Sequence, residues 1–118
     1  MLTHKKTPRV AKVNALIQQI VGEAIKPYIE SLPGLITISK TETSGDLKWV
    51  KVWISIIDGD DKLTFDVLKK NIYDIQGQLN GALAMKIVPR IQFFLDTSPR
   101  YVQHINELLN KIHEEDGK

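Results

Sequence analysis

Apolar residues recur at helical spacing along three stretches of this chain and alternate at strand spacing along another, with two further strands expected beside it. Val10, Val13, Leu16, Ile17, Ile20, Val21, Ala24 and Ile25 fall three and four apart, one stripe of a helix that Thr7 can cap and Pro8 can open. Pro27 disfavours helical angles at Lys26 and brings no amide of its own, so this helix is expected to end near residue 26 or kink there. Residues 47–57, LKWVKVWISII, alternate with period two. Val50, Val52, Ile54 and Ile56 face one way, and Trp49, Lys51, Trp53 and Ser55 the other. The Ile- and Thr-rich residues 35–43 and the Ser44-Gly45-Asp46 turn signal make a hairpin with that strand. A third strand is expected over residues 87–96, with Pro89 near its start, where a missing donor is tolerated. Thr97-Ser98-Pro99 then open a last helix carrying Val102, Ile105, Leu108, Leu109 and Ile112, with residues 113–118 a frayed tail.

Between the hairpin and the third strand, Leu68, Ile72, Ile75, Leu79 and Leu83 set a helical phase over residues 63–86. A single straight helix of that length would be about 35 Å long, more than a compact domain of this size is wide, so it should break. Gly77 and Gly81 lie inside the pattern, each costing about 1 kcal/mol relative to alanine. Gly77 is a candidate for the break because glycine reaches backbone angles other residues avoid. With the break there, Gly81 would allow close packing of the second half-helix; the alternative is one bent helix in which both glycines serve packing.

The chain of 118 residues suits one domain. Helix, two strands, a broken helix pair, a strand and a helix make an α+β fold of two layers, with the helices packed on one face of a three-stranded sheet. That element order is the order of a type II KH domain, a nucleic-acid-binding fold that holds the nucleic-acid backbone at the turn between paired helices. There is no cysteine, which removes disulfides, thiol catalysis and cysteine-bound metals and suits a reducing, cytoplasmic setting. No run approaches the ~18 apolar residues a membrane span needs, and MLTHKKTPRV lacks the apolar core of a signal peptide.

Enzymatic chemistry finds no constellation. His4, His104 and His113 are scattered, and no Gly-x-Ser-x-Gly elbow or phosphate loop is present. The DGDDK run at 58–62 departs from a calcium loop at its fifth and sixth positions and reads as a solvated acidic loop. No catalytic residue, cofactor, metal or small-molecule substrate is therefore expected. Basic residues are better placed. Lys5, Lys6, Arg9 and Lys12 put four cations and no anion on a flexible arm over residues 1–7 and the first helical turns, where they can neutralise phosphates. Lys69, Lys70, Lys86 and Arg90 flank the broken helix, interrupted only by Asp66 and Asp74. Amides exposed at a break, with lysines beside them, make a cradle for a phosphate chain. Trp49 and Trp53 can stack on unpaired bases or simply shield the open face of a thin sheet.

Several strings in order resemble the ribosome-binding factor A family: Arg9-Val10, Ser44-x-Asp46-Leu47, and Lys51-Val52-Trp53-Ile54-Ser55, with tryptophan where the family favours tyrosine. Ile75-x-x-x-Leu79-x-x-x-Leu83-x-Met85-x-Ile87-x-Pro89-x-Ile91-x-Phe93 followed by Asp96-x-Ser98 completes the set. The family's Ala-x-Gly at the helix kink, counted back from Pro89 without gaps, falls on Asn71-Ile72-Tyr73, and Gln76 stands where many members carry arginine. The resemblance implies a non-catalytic, monomeric bacterial factor in the cytoplasm that binds 16S rRNA and the free 30S ribosomal subunit rather than assembled ribosomes. It also implies help in late rRNA processing and importance for growth in the cold. Its RNA-binding residues would be Lys5, Lys6, Arg9, Lys12, Lys69, Lys70, Gln76, Gly77, Lys86 and Arg90. The competing reading is a protein-interaction module of the same architecture, using the Trp49/Trp53 face or the last helix and binding no RNA.

Overall fold

The computed structural model describes residues 8–116, with side chains through residue 112. The expected arm with His4, Lys5 and Lys6, its cap Thr7, and the side chain of His113 lie outside the described residues. The elements are α1 (Pro8–Ile29), β1 (Leu35–Thr43), β2 (Trp49–Ile57), α2 (Asp61–Lys70), α3 (Ile72–Ala82), β3 (Arg90–Leu95) and α4 (Ser98–Asp116). The sheet order is β1-β2-β3, antiparallel between β1 and β2 and parallel between β2 and β3, so β3 is an edge strand.

The alternation of β2 decides what faces what. Val50, Val52, Ile54 and Ile56 are wholly buried and meet Ile17, Val21 and Ile25 of α1, Leu68 of α2, and Ile75 and Leu79 of α3 in one core. Helices α1–α3 thus cover one face of the sheet, as the sequence predicts. In β1 the alternation slips. Ile38 pairs with Ile54 but Lys40, not Ser39, pairs with Trp53, a bulge that sends Thr41 inward and Lys40 outward. Without that extra residue Lys40 would share the inward face of Ile36 and Ile38, where an unpaired ammonium is costly.

Several boundaries differ from the sequence expectation. Helix α1 passes through Pro27 to Ile29. Pro27 and Glu23 are both exposed, so the carbonyl left without an amide partner faces solvent, while Tyr28 and Ile29 pack against the core and extend the helix. The third strand is shorter than 87–96 because Pro89 precedes it. The run at 58–62 is not merely solvated. Asp60 caps α2, accepting the Leu63 amide at 3.0 Å, and Asp61 accepts from Arg100 Nη1 at 3.0 Å. Arg100 Nε also donates to the Ile56 carbonyl at 2.7 Å, which ties the start of α4 to β2 and α2. Beyond that anchor α4 stands apart from the other helices, leaving Tyr101, Val102, Leu108, Leu109 and Ile112 exposed, and it runs on as helix into the expected tail.

One polar residue breaks the apolar stripe of α1. Asn14 is only 6% exposed; its Oδ1 accepts the Thr43 amide at 2.8 Å and its carbonyl accepts the Thr41 hydroxyl at 2.8 Å, pinning α1 across the end of β1. Asn14→Ala leaves the Thr43 amide without that acceptor, and a loss of about 1–3 kcal/mol in denaturant-measured stability is expected. A loss below about 0.5 kcal/mol would show the strap to be idle.

Candidate nucleic-acid interface

The helical stretch between β2 and β3 does break, but at Asn71. Its φ of −104° and ψ of 14° lie outside the left-handed region, so the break requires no glycine. The Asn71 amide Nδ2 donates to the Val67 carbonyl at 2.8 Å, closing the end of α2, and this leaves α3 without a side-chain cap. Both placements suggested by the glycines are therefore corrected: the break is not displaced to Gly77, and the segment is not one bent helix. It sits on the first residue of Asn71-Ile72-Tyr73, where counting back from Pro89 places the family's motif. Nor is Gly81 a close-packing residue, since a Cβ there, as at Gly77, would meet nothing within 4 Å.

Helix α3 then runs beside the free edge of β3, fastened by one side chain. Gln76 Nε2 donates to the Pro89 carbonyl at 3.0 Å, and Gln76 Oε1 accepts the Ile91 amide at 2.9 Å. These are the two bonds one residue of a parallel neighbouring strand would make, so the side chain stands in for a missing strand. Gln76, expected among the RNA-binding residues, is spent on the protein's own backbone. Arginine, implied here by the family resemblance, has no acceptor and could not take the Ile91 amide. The Arg90 and Asp96 amides donate to the carbonyls of Lys48 and Ile54, which sets the phase of β3. By that alternation Phe93 and Leu95 direct their amides toward the outer edge, past the reach of Gln76.

The space between α3 and β3 is an open cleft of about 440 Å³, lined by Ile72, Tyr73, Gln76, Gly77, Asn80, Arg90 and Ile91. Across the break it continues as a shallower groove bounded by Lys69, Ile72, Gln92, Phe93 and Phe94. Tyr73 is 92% exposed on the cleft wall, an aromatic ring with no packing role. Tyr73, Asn80 and Gln92 were not identifiable as groove residues from sequence. An exposed Tyr immediately after the break was the one available signal, and it reads equally as a surface helix residue.

The groove brings together Lys69, Gly77 and Arg90 from the expected set, and Lys70 lies beside them in the last turn of α2. Lys86 is exposed in the loop before β3. Arg9 and Lys12 are on the first turns of α1, next to the end of that helix bonded by Asn14 to β1; the opposite end meets α3 through the Tyr28 hydroxyl and the Asp74 carboxylate. Those two ends are about 21 Å apart at ~1.5 Å per residue, so the α1 cations and the Lys69/Lys70 pair form two separate groups rather than one patch. The nearby anions are engaged: Asp66 pairs with Lys62, and Asp74 accepts from Tyr28 and from Gln78 Nε2.

Gly77 keeps the groove wall bare. Because it is helical, exposed and free of neighbours, Gly77→Ala is expected to raise stability by about 0.5–1 kcal/mol while placing a methyl in the cleft. A thermal melt paired with an RNA-binding assay reads both effects; a fall in stability would mean that Gly77 holds a conformation other than helix.

A three-stranded sheet backed by α1 and by a helix pair whose break opens beside the edge of the parallel strand defines a type II KH-like domain. The sequence profile described as ribosome-binding factor A matches residues 9–109, and this chain belongs to that family. It is 34% identical to ribosome-binding factor A of Ligilactobacillus salivarius over 92% of this chain and 94% of the relative. To the protein of the same name from Bdellovibrio bacteriovorus it is 30% identical over 88% and 80%. The crystal structure of ribosome-binding factor A from Thermus thermophilus matches with a TM-score of 0.65 at 17% identity, over 73% of this chain and 93% of that one. A homology model of the Thermus thermophilus factor, fitted into a cryo-electron-microscopy map of a 30S complex, matches at 0.61 and 17% identity over 71% and 91%. At those identities the two structural likenesses speak for the fold. No helix among the described residues is long and apolar enough to cross a membrane.

Proposed function

We propose that this chain binds the RNA of the small ribosomal subunit through the groove between the α2–α3 break and the edge of β3, and assists late maturation of that subunit. The observation that carries the reading is the uncapped start of α3, with Lys69 and Lys70 beside it and the outward backbone edge of β3 opposite. Helix amides and lysines suit phosphate, while strand-edge amides and Tyr73 suit exposed bases. The 30S complex named for the Thermus thermophilus factor supports the choice of partner. The protein works as a binder, as a monomer in the cytoplasm and with no covalent step, favouring one RNA arrangement by its differential affinity for it. Preference for free small subunits over assembled ribosomes follows if the groove recognises RNA that is accessible only before assembly is complete.

Co-sedimentation with small subunits across a salt series tests this reading. Binding should weaken steeply as salt rises, and glutamine at Lys5, Lys6, Arg9 and Lys12 together should lower the log–log slope by roughly 3, at about 0.7–0.9 per phosphate contact. An unchanged slope removes the arm and first turns of α1 from the contact. The exposed stripe on α4 keeps a protein-docking reading alive; salt-insensitive capture of a protein, without subunit binding, would favour it.

A further inference from the structure

We infer that the sheet face turned away from the helices is a second RNA site, one that stacks unpaired bases of a single strand on Trp49 and on the Trp53–Phe94 pair. The inference extends the RNA-binding reading to a surface that reading does not use. Four observations point there. Trp53 and Phe94 pack with ring centroids 5.1 Å apart, and Glu42 Oε1 accepts the Trp53 indole N–H at 2.8 Å, so the platform is fixed before any ligand arrives. Trp49 is 45% exposed on the same face, and a hollow of about 250 Å³ beside it is lined by Glu42, Thr43, Ser44 and Lys51. The Lys40 ammonium lies 5.0 Å over the Trp53 ring and that of Lys51 5.4 Å over the Phe94 ring. With Arg90, level with Trp49 in the register, they set three cations against two carboxylates, Glu42 and Asp96, the latter beside Ser39 and Lys40.

Charge complementarity selects the occupant. An apolar protein surface would have to bury Lys40 and Lys51, whereas a nucleic-acid strand takes the rings with its bases and the ammonium groups with its phosphates. Cation–π contacts at exposed sites are weaker than base–aromatic stacking, so an incoming base can displace a lysine from its ring and leave it free for phosphate. The bulge in β1 is what turns Lys40 onto this face. The site is also continuous with the groove, since Phe94 belongs to both and Gln92 of the groove pairs with Lys51 in the sheet, and one strand can therefore pass over the edge of β3 from groove to face.

Trp49 and Trp53 are the chain's two tryptophans, so emission excited selectively from tryptophan, and not from Tyr28, Tyr73 or Tyr101, reports on this face. Titration of the intact protein with a short unstructured oligouridylate should give saturable quenching. Trp49→Ala should weaken it about tenfold, read from Trp53; Trp49→Phe, which keeps a ring, should restore most of the affinity; and Lys40→Gln should make binding less salt-dependent. Lys69→Gln/Lys70→Gln should leave the quenching in place. Binding of labelled oligouridylate with unchanged tryptophan emission, or quenching indifferent to Trp49→Ala, overturns the inference. So does concentration-dependent self-association that Trp49→Ala abolishes in the absence of quenching, because a second copy would then be the occupant. Quenching that persists while the intact protein fails to bind subunits refutes the groove reading and leaves this one standing.

Discussion

Gly34→Ala is expected to remove at least about 3 kcal/mol of stability, a large share of the roughly 5–15 kcal/mol that holds a small domain together. Gly34 has φ +86°, a left-handed angle that costs a residue bearing a Cβ about 1–2 kcal/mol. A Cβ added there would also lie 2.6 Å from the Gly59 Cα, the Gly59 nitrogen and the Ile57 carbonyl oxygen, all backbone atoms that cannot swing aside. The contact is reciprocal, since a Cβ at Gly59 would fall 2.6 Å from the Pro33 carbonyl oxygen. The turn after α1 and the loop after β2 therefore cross with no room for a methyl, and relief would require separating α1 from the sheet. For a domain of this size, ~3 kcal/mol corresponds to a melting point lower by about 10 °C or more. A melting point within a few degrees of the parent would mean that the crossing is looser than the geometry states. Gly34 and Gly77 thus answer the same substitution with opposite sign, a contrast set by backbone angle and free space rather than by residue type.

Lys69→Gln/Lys70→Gln/Arg90→Gln should weaken binding to small subunits roughly a hundredfold at about 0.1 M salt and lower the log–log salt slope by about 2–3. The size follows from three phosphate contacts at ~0.7–0.9 each; toward 1 M salt the variant and the parent should converge. The substitutions should leave the fold intact. Lys69 and Lys70 are exposed, as is Arg90, and the Arg90 backbone amide, which bonds the Lys48 carbonyl, is untouched. A loss that persists equally at high salt would point to damaged packing instead of missing charge.

Most of the fold was legible because core residues obey simple periodicity. The inward residues of β2 and the stripe Ile17, Val21, Ala24 and Ile25 are buried as their spacing requires. The misses share a cause: a single polar side chain or tertiary contact outweighed local propensity. Pro27 argues for a helix end, but Tyr28 and Ile29 gain core contacts by continuing. Gly77 argues for a break, yet Asn71 makes it with ordinary backbone angles and one side-chain bond to the Val67 carbonyl. Within the candidate interface, Lys69, Lys70 and Arg90 could be nominated from charge and position. The bridge that Gln76 makes to Pro89 and Ile91 depends on a strand edge that periodicity does not reveal. The place of Lys40 on the open face depends likewise on a bulge, a phase slip between Ile38 and Thr41 that the residue pattern does not reveal.

The central claim, that the α3–β3 groove faces small-subunit RNA, is tested most directly by tethered hydroxyl-radical probing. The chain has no cysteine, so Asn80→Cys on the cleft wall and Glu23→Cys on the exposed side of α1 each give one attachment point for an iron chelate. Bound to small subunits, the probe at position 80 should cleave the RNA at discrete nucleotides while the probe at position 23 cleaves little or not at all. Strong cleavage from position 23 with none from position 80 would contradict the account.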